Sequence, residues 1–324
     1  MLELLKRPCN IVAWQRRLGV IFAGNKTTSW STGYSSNRLR ADSIDELLIS
    51  LEEPMLIEST SHFGLALGML ESGVFKPPSF SPSGGEFAHI LLRWLHFVAG
   101  ITWIGLLYFF NLVNVPLQKK LDADTKKKVN PELLLPALWY FRWGAVLTVI
   151  AGLGYYAMYI LRPDVGLANA TGANVSGRMI IIVWFFIPIV TFLVEFLIIK
   201  KVPALTKDGR VFAVIALILV VAMSIVILKW IDGSLTVGTQ HFASNKSLSI
   251  GVGGALGLIM LLNVWGIIWP NNKRMIGALT GGPPPAPELA RQAFIASRTN
   301  AWLSLPMLLF MGTSHGDWLI FGGH

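Results

Sequence analysis

Long apolar blocks alternate with short polar connections along most of the chain. Six blocks stand out, at roughly 89–115, 137–161, 179–199, 211–230, 249–269 and 301–321. Each approaches the ~20 residues that a helix rising ~1.5 Å per residue needs to cross a bilayer core. A helix satisfies its own backbone hydrogen bonds in lipid, and the strand-like alternation of a membrane barrel is absent. The pattern predicts an all-α, multi-pass transmembrane helical bundle of about six spanning helices. Composition agrees: 53% of residues are hydrophobic and only 14% charged, where a soluble domain carries about a quarter charged.

Charge then orients the bundle. The first, third and fifth connections hold thirteen Lys or Arg, among them Lys119, Lys120, Lys126, Lys127, Lys128, Lys200 and Lys201. The second and fourth hold four: Arg162, Arg178, Lys229 and Lys246. Basic residues concentrate on the cytoplasmic side. Both termini are therefore expected on the outer side, periplasmic if the membrane is a bacterial inner membrane. The net charge of +9 is mostly this topology signal. Spread over separate loops, it argues against a nucleic-acid partner.

Residues 1–86 read as an N-terminal extension, and 87–324 as the membrane domain. Residues 1–41 carry seven Lys or Arg against one acidic residue, with a "TTSWSTGYSS" run. That fits an organellar transit peptide or a start codon assigned too early, with Met55 and Met69 as later starts. The extension is expected to carry no chemistry. "PPSFSPSGG" at 77–85 reads as a linker into the first helix. Cys9 is the one cysteine, so neither a disulfide framework nor a cysteine metal site is available. No C-x-x-C-H, Walker loop or dinucleotide glycine fingerprint occurs. Gly253 and Gly257, in "GVGGALG", form a small-xxx-small pair suited to close helix packing.

The histidines are the candidate chemistry. His96 lies in the outer half of the first block, His315 at the outer end of the sixth, and His241 in the outward fourth connection. Ionisable groups at membrane depth are costly and point to function, although a single histidine is as readily a packing group. Agreement in depth favours a shared redox site. Neutral imidazole ligates haem iron, copper or zinc. Gly100, one turn from His96, leaves a flat wall for a porphyrin. His89 lies ~10 Å further along the same face, too far to share the iron. The second axial ligand is thus expected from His315 first and His241 second. Asp232 and Asp317 are placed to orient a ligating ring. In the inner half, Arg142 and Glu195 are expected to form a structural ion pair, with Asn111, Asn114 and Asn263 at similar depth.

"LLRWLHFVAGITWIG", "ALWYFRWGAVLT", "NVWGIIWPNNKRMIGA" and "ASRTNAWLSLPMLLFMGTSH", in that order, resemble the membrane-bound bacterial urate oxidases. The resemblance is to their N-terminal membrane domain and covers residues 87–318 or so. It implies an inner-membrane protein linked to oxidation of urate to 5-hydroxyisourate. A c-type cytochrome domain commonly follows in that family; here the sequence ends at "FGGH", so a separate c-type cytochrome is the expected electron acceptor. Motif positions carried over are Arg93, His96, Trp103, Arg142, Trp143 and His315, of which Arg93, His96 and His315 are the catalytic candidates. His96, His315, His241, Gly100 and Trp103 are the cofactor-binding candidates, with haem b as the candidate cofactor. Arg178 and Gln240 are weaker candidates for holding a urate anion. The alternative is a non-catalytic or haem b-carrying subunit among other membrane subunits of an electron-transfer assembly. A transporter is disfavoured because no inverted repeat is visible.

Overall fold

The computed structural model describes residues 84–315 and 319–321. The expectations for the N-terminal extension, for Cys9 and for Asp317 lie outside these residues. All described elements belong to the unit Ser81–His324.

Five helices are long and apolar enough to cross a membrane: α1 (Gly84–Lys120), α2 (Ala123–Ala170), α3 (Gly177–Lys201), α4 (Gly209–Ser234) and α5 (Asn245–Leu279). A sixth, α6 (Glu288–Thr313), follows. The chain is an all-α membrane protein. The expected sixth span is a helix, but it starts about thirteen residues earlier than the apolar block and ends at Thr313. Its first half carries Arg291, Gln292, Arg298, Thr299 and Asn300, which is why it falls outside the apolar set. Several of these polar side chains point into the bundle: Gln292, Thr299 and Asn300 are buried.

The lysine-rich first connection, 116–136, is mostly helical rather than a loop: only Leu121 and Asp122 interrupt the helices there. Asp122 restarts the chain as an N-cap, accepting hydrogen bonds from Asp124 N (3.0 Å), Thr125 N (2.9 Å) and Thr125 Oγ1 (2.6 Å). Those bonds favour the ionised carboxylate and hold its pKa below the ordinary value, with the Thr125 hydroxyl the largest contributor.

Three turns of wide, π-type helix recur at Phe109–Asn114, Tyr156–Leu161 and Val264–Ile268. Each ends two residues before a proline: Pro116, Pro163 and Pro270. Proline has no N–H and crowds the carbonyl four residues back. Widening the turn relieves that crowding and lets the neighbouring N–H reach one residue further. Val115 N donates to Phe110 O and Trp269 N to Val264 O, each five residues back.

Helix α5 is the hub. Of its most apolar stretch 72% is buried, against 17–28% for the other spans. Small residues permit this. A Cβ on Gly253 would meet Phe310 Cβ at 3.1 Å and Met307 O at 3.4 Å, and one on Gly254 would meet Trp184 at 3.2 Å. The small-residue pair Gly253 and Gly257 therefore serves packing against α6, as the spacing predicts. Trp184 Nε1 and Tyr156 OH donate to the α5 carbonyls of Gly251 (2.7 Å) and Ser247 (3.0 Å). By contrast α4 is peripheral: Val214, Leu217, Ile218 and Val221 are exposed, a face suited to lipid tails rather than water.

Candidate functional site

The helices α1, α2, α3, α5 and α6 line a cavity of about 740 Å³. It is formed by the middle of α1, the N-terminal halves of α3 and α5 and the C-terminal halves of α2 and α6. It therefore lies toward the end of the bundle opposite the lysine-rich connections. That volume is within the usual range of ligand pockets, roughly 300–1,000 Å³. The wall is mostly apolar and aromatic.

Arg93, His96, Gly100, Trp103 and His315 all line it. Helix α1 supplies four of them because Arg93, His96, Gly100 and Trp103 recur at three- and four-residue spacing on one face. His315 comes from the turn just after α6, not from within the helix, and its N–H bonds back to Gly312 O at 3.3 Å.

Both imidazoles are oriented by oxygens that fix the tautomer. His96 Nδ1 lies 2.8 Å from Thr148 O. His315 Nδ1 lies 3.1 Å from Met311 O and 2.8 Å from Ser314 Oγ, whose own hydroxyl donates to Met311 O at 2.7 Å. A carbonyl oxygen only accepts, so each Nδ1 carries the proton and each Nε2 keeps its lone pair for a ligand. Thr148 sits on α2 across from α1, and a carbonyl oxygen has a second lone pair for the ring N–H beside its helical bond; the Thr148 hydroxyl bonds back to Gly144 O at 2.6 Å.

Gly152 completes the His96 seat. A Cβ at this position would come within 2.6 Å of Nδ1 and 2.7 Å of Cε1. The Nδ1–Cε1 edge of the ring occupies the space a side chain here would need. Gly100 has ordinary room, its nearest neighbour being Thr148 Cγ2 at 3.6 Å, so it keeps that wall low without being forced. Trp103 is 1% exposed, and its Nε1 has no hydrogen-bond partner among the described residues.

Other expected members are not brought in. His241 belongs to the small hairpin of β1 (Thr236–Val237) and β2 (Gln240–His241), turned by Gly238 at φ +62°. Its Nδ1 is held by both Asp232 oxygens at 3.0 Å and lies 3.1 Å from Thr236 Oγ1. Asp232 thus does orient an imidazole, but a half-exposed one outside the cavity. Thr236 Oγ1 also donates to Asp232 O at 2.7 Å, which ties the hairpin to the end of α4. Arg178 and Gln240 are exposed and do not line the cavity either. His89 stacks on Tyr155 and Tyr159 and contacts Tyr155 OH at 3.0 Å, one layer outward.

The expected Arg142–Glu195 ion pair does not form. The Arg142 guanidinium lies over Trp269, 3.9 Å from the ring centroid, with Trp265 and Trp143 alongside. An aromatic cage attracts the cation through the ring quadrupole, and it holds Arg142 at the α2–α5 boundary. Glu195 instead accepts from Asn263 Nδ2 at 3.2 Å.

Sequence reasoning had singled out His96 and His315 but missed Thr148 and Gly152. Neither residue type is distinctive in a spanning helix; only the facing of α2 on α1 reveals them. Among the described residues, no group of three or more His, Cys, Asp or Glu gathers to hold a bare metal ion.

Compared with known proteins, the chain matches the family model described as Urate oxidase N-terminal over residues 121–322, more than half its length. That match takes in α2 to α6 and His315, whereas α1, with Arg93 and His96, precedes it. No curated protein and no solved structure gives a significant match.

Proposed function

The chain belongs to the urate oxidase N-terminal family, and we propose that it is a membrane-bound oxidoreductase of urate-oxidase type. In this reading its cavity holds haem b between His96 and His315, and electrons leave to a separate c-type cytochrome at the outer face. The observation that carries the reading is the pair of imidazoles whose Nδ1 atoms are both engaged by backbone carbonyls, across one apolar cavity. Carbonyl-anchored imidazoles present a directed lone pair, which is what an axial ligand needs.

The residues fit that group. The volume is sufficient, Gly100 keeps one wall low, and Arg93 offers a cation at the outer rim for an acidic substituent. Haem, when bound, supplies a one-electron couple; the chain's own part is to hold it, exclude water and set its position relative to the outer surface. Helix order and the basic connections support the outer placement, because the cavity lies away from the lysine-rich end. In this reading the membrane is a bacterial inner membrane, as the family resemblance implies, and the basic connections set only which side faces out.

A haem-carrying subunit without urate chemistry is the second reading, and one observation favours it. Apart from Arg93 the cavity offers few charged or polar groups to a small purine anion, and a polar anion is costly to bury without several partners. One experiment separates the two. The purified full chain is examined by reduced-minus-oxidised difference spectroscopy and pyridine haemochrome assay, and membranes are assayed for urate-dependent reduction of added cytochrome c. We expect a b-type spectrum that is lost in His96→Ala and in His315→Ala, with urate-dependent reduction in the wild type. A b-type spectrum without urate-dependent reduction identifies the subunit reading. Retention of full haem by both variants sinks the shared site.

A further inference from the structure

A second set of buried polar groups lies deeper in the bundle, between the cavity and the lysine-rich end. Glu195 is 4% exposed, and Asn263 and Asn300 are fully buried. Asn263 Nδ2 donates to Glu195 Oε1 (3.2 Å) and to Asn300 Oδ1 (3.0 Å), while Asn300 Nδ2 donates to Met260 O at 2.8 Å. One turn further along α6, Ser304 Oγ lies 2.9 Å from Tyr108 OH. Tyr108 is a cavity-lining residue. A file of polar side chains therefore runs from the cavity floor through Ser304, Asn300 and Asn263 to Glu195. Its one gap, Asn300 to Ser304, spans neighbouring turns of the same helix, ~5–6 Å between Cβ atoms.

Among the described residues no cation pairs with Glu195. Arg142 is held over Trp269, and Lys200 Nζ bonds Gln292 Oε1 at 2.8 Å and Asn271 Oδ1 at 3.4 Å. Arg291 is taken by Thr206 O and Lys207 O, and Arg298 lies beside the Phe294 ring. A carboxylate left bare among apolar side chains costs several kcal/mol, so such a group keeps a proton instead. A neutral acid needs an acceptor for its O–H. Asn263 Oδ1, buried in the same cluster, has no hydrogen-bond partner. The missing donor and the orphaned acceptor belong to adjacent residues.

The geometry points to Glu195 as a buried proton-exchange site served from the cavity through Asn263, Asn300, Ser304 and Tyr108. No side-chain bond links it to the Lys200, Asn271 and Gln292 cluster, which stands ~7.5 Å further along α3 by helical rise. The file is thus a dead end that loads and unloads a proton on the cavity side, and it does not short-circuit the membrane. This role is independent of what the cavity binds.

Attenuated-total-reflection infrared spectroscopy tests it on the full chain in lipid film during exchange from H₂O to D₂O. The wild type should show a protonated-carboxyl C=O band that shifts on exchange and is missing in Glu195→Gln. Tyr108→Phe and Asn300→Leu should keep the band but slow its shift about tenfold, the effect on a barrier of losing one hydrogen bond. Tyr108→Phe removes only a hydroxyl, so it remains informative should Asn300→Leu fail to fold. A wild-type spectrum with no band assignable to Glu195 overturns the proposal, since the group is then ionised or ion-bound. An exchange rate unchanged in Tyr108→Phe overturns the cavity route.

Discussion

At the scale of single residues, the seat of His96 turns on contacts that its own helix does not provide. Thr148 O fixes the ring nitrogen that carries the proton, and Gly152 leaves the space the ring occupies. Gly152→Ala places a methyl 2.6 Å from Nδ1, so the ring must leave the Thr148 carbonyl. Overpacking of this kind costs about 1–3 kcal/mol, which lowers haem affinity by roughly ten- to a hundredfold if it falls on the bound state. Haem titration of the purified variant checks this. Unchanged affinity would show that His96 needs neither the glycine nor the carbonyl. Arg142 teaches the complementary lesson. A basic residue at membrane depth reads as half of an ion pair, yet three tryptophans gather round it, and the acid expected as its partner is left to amide groups.

Elements in this fold are defined as much by their proximity to one another as by their apolarity. Helix α5 is the most buried because glycines and serines along it let α3, α4 and α6 approach its backbone. Replacing Gly253 by Val should destabilise the bundle by about 1–3 kcal/mol, because Met307 O and Phe310 Cβ leave no room for a branched side chain. The measurement is the thermal unfolding midpoint in detergent, and Gly277→Val, where no atom lies within 4 Å of a Cβ, is its control. A fall of similar size in both variants would make the effect one of helix propensity rather than of packing. The wide turns before Pro116, Pro163 and Pro270 belong to this scale too. They keep α1, α2 and α5 continuous where a proline would otherwise break the hydrogen-bond ladder.

For the molecule as a whole, the two ends of the bundle differ in character. One carries the lysine-rich turns and the Glu195 cluster; the other carries the cavity, the hairpin and both candidate ligands. The distribution of basic residues predicts that the first end is cytoplasmic. In a Cys9→Ser background, Thr239→Cys should react with a membrane-impermeant maleimide added to intact cells, whereas Lys127→Cys should react only after lysis. Both positions are exposed, so the opposite pattern would invert the topology and place the cavity on the inside, out of reach of the outer cytochrome proposed above.

The solvent, the fold class and the depth of each helix were legible in the sequence, because hydrocarbon imposes a length and a polarity on every spanning segment regardless of its neighbours. His96 and His315 were legible for the same reason: imidazole is costly in that setting and rare. Which polar groups meet was decided only by the tertiary structure. A histidine's depth says nothing of its azimuth, so His241, at a suitable depth, was drawn to Asp232 on the surface. Glu195 and Arg142 likewise share a depth but face different helices. The Thr148 carbonyl is a backbone atom with no sequence signature at all, and Gly152 is one glycine among 31. Hydrophobic pattern fixes how far along a helix a residue lies, while packing fixes which way it points, and the site depends on both.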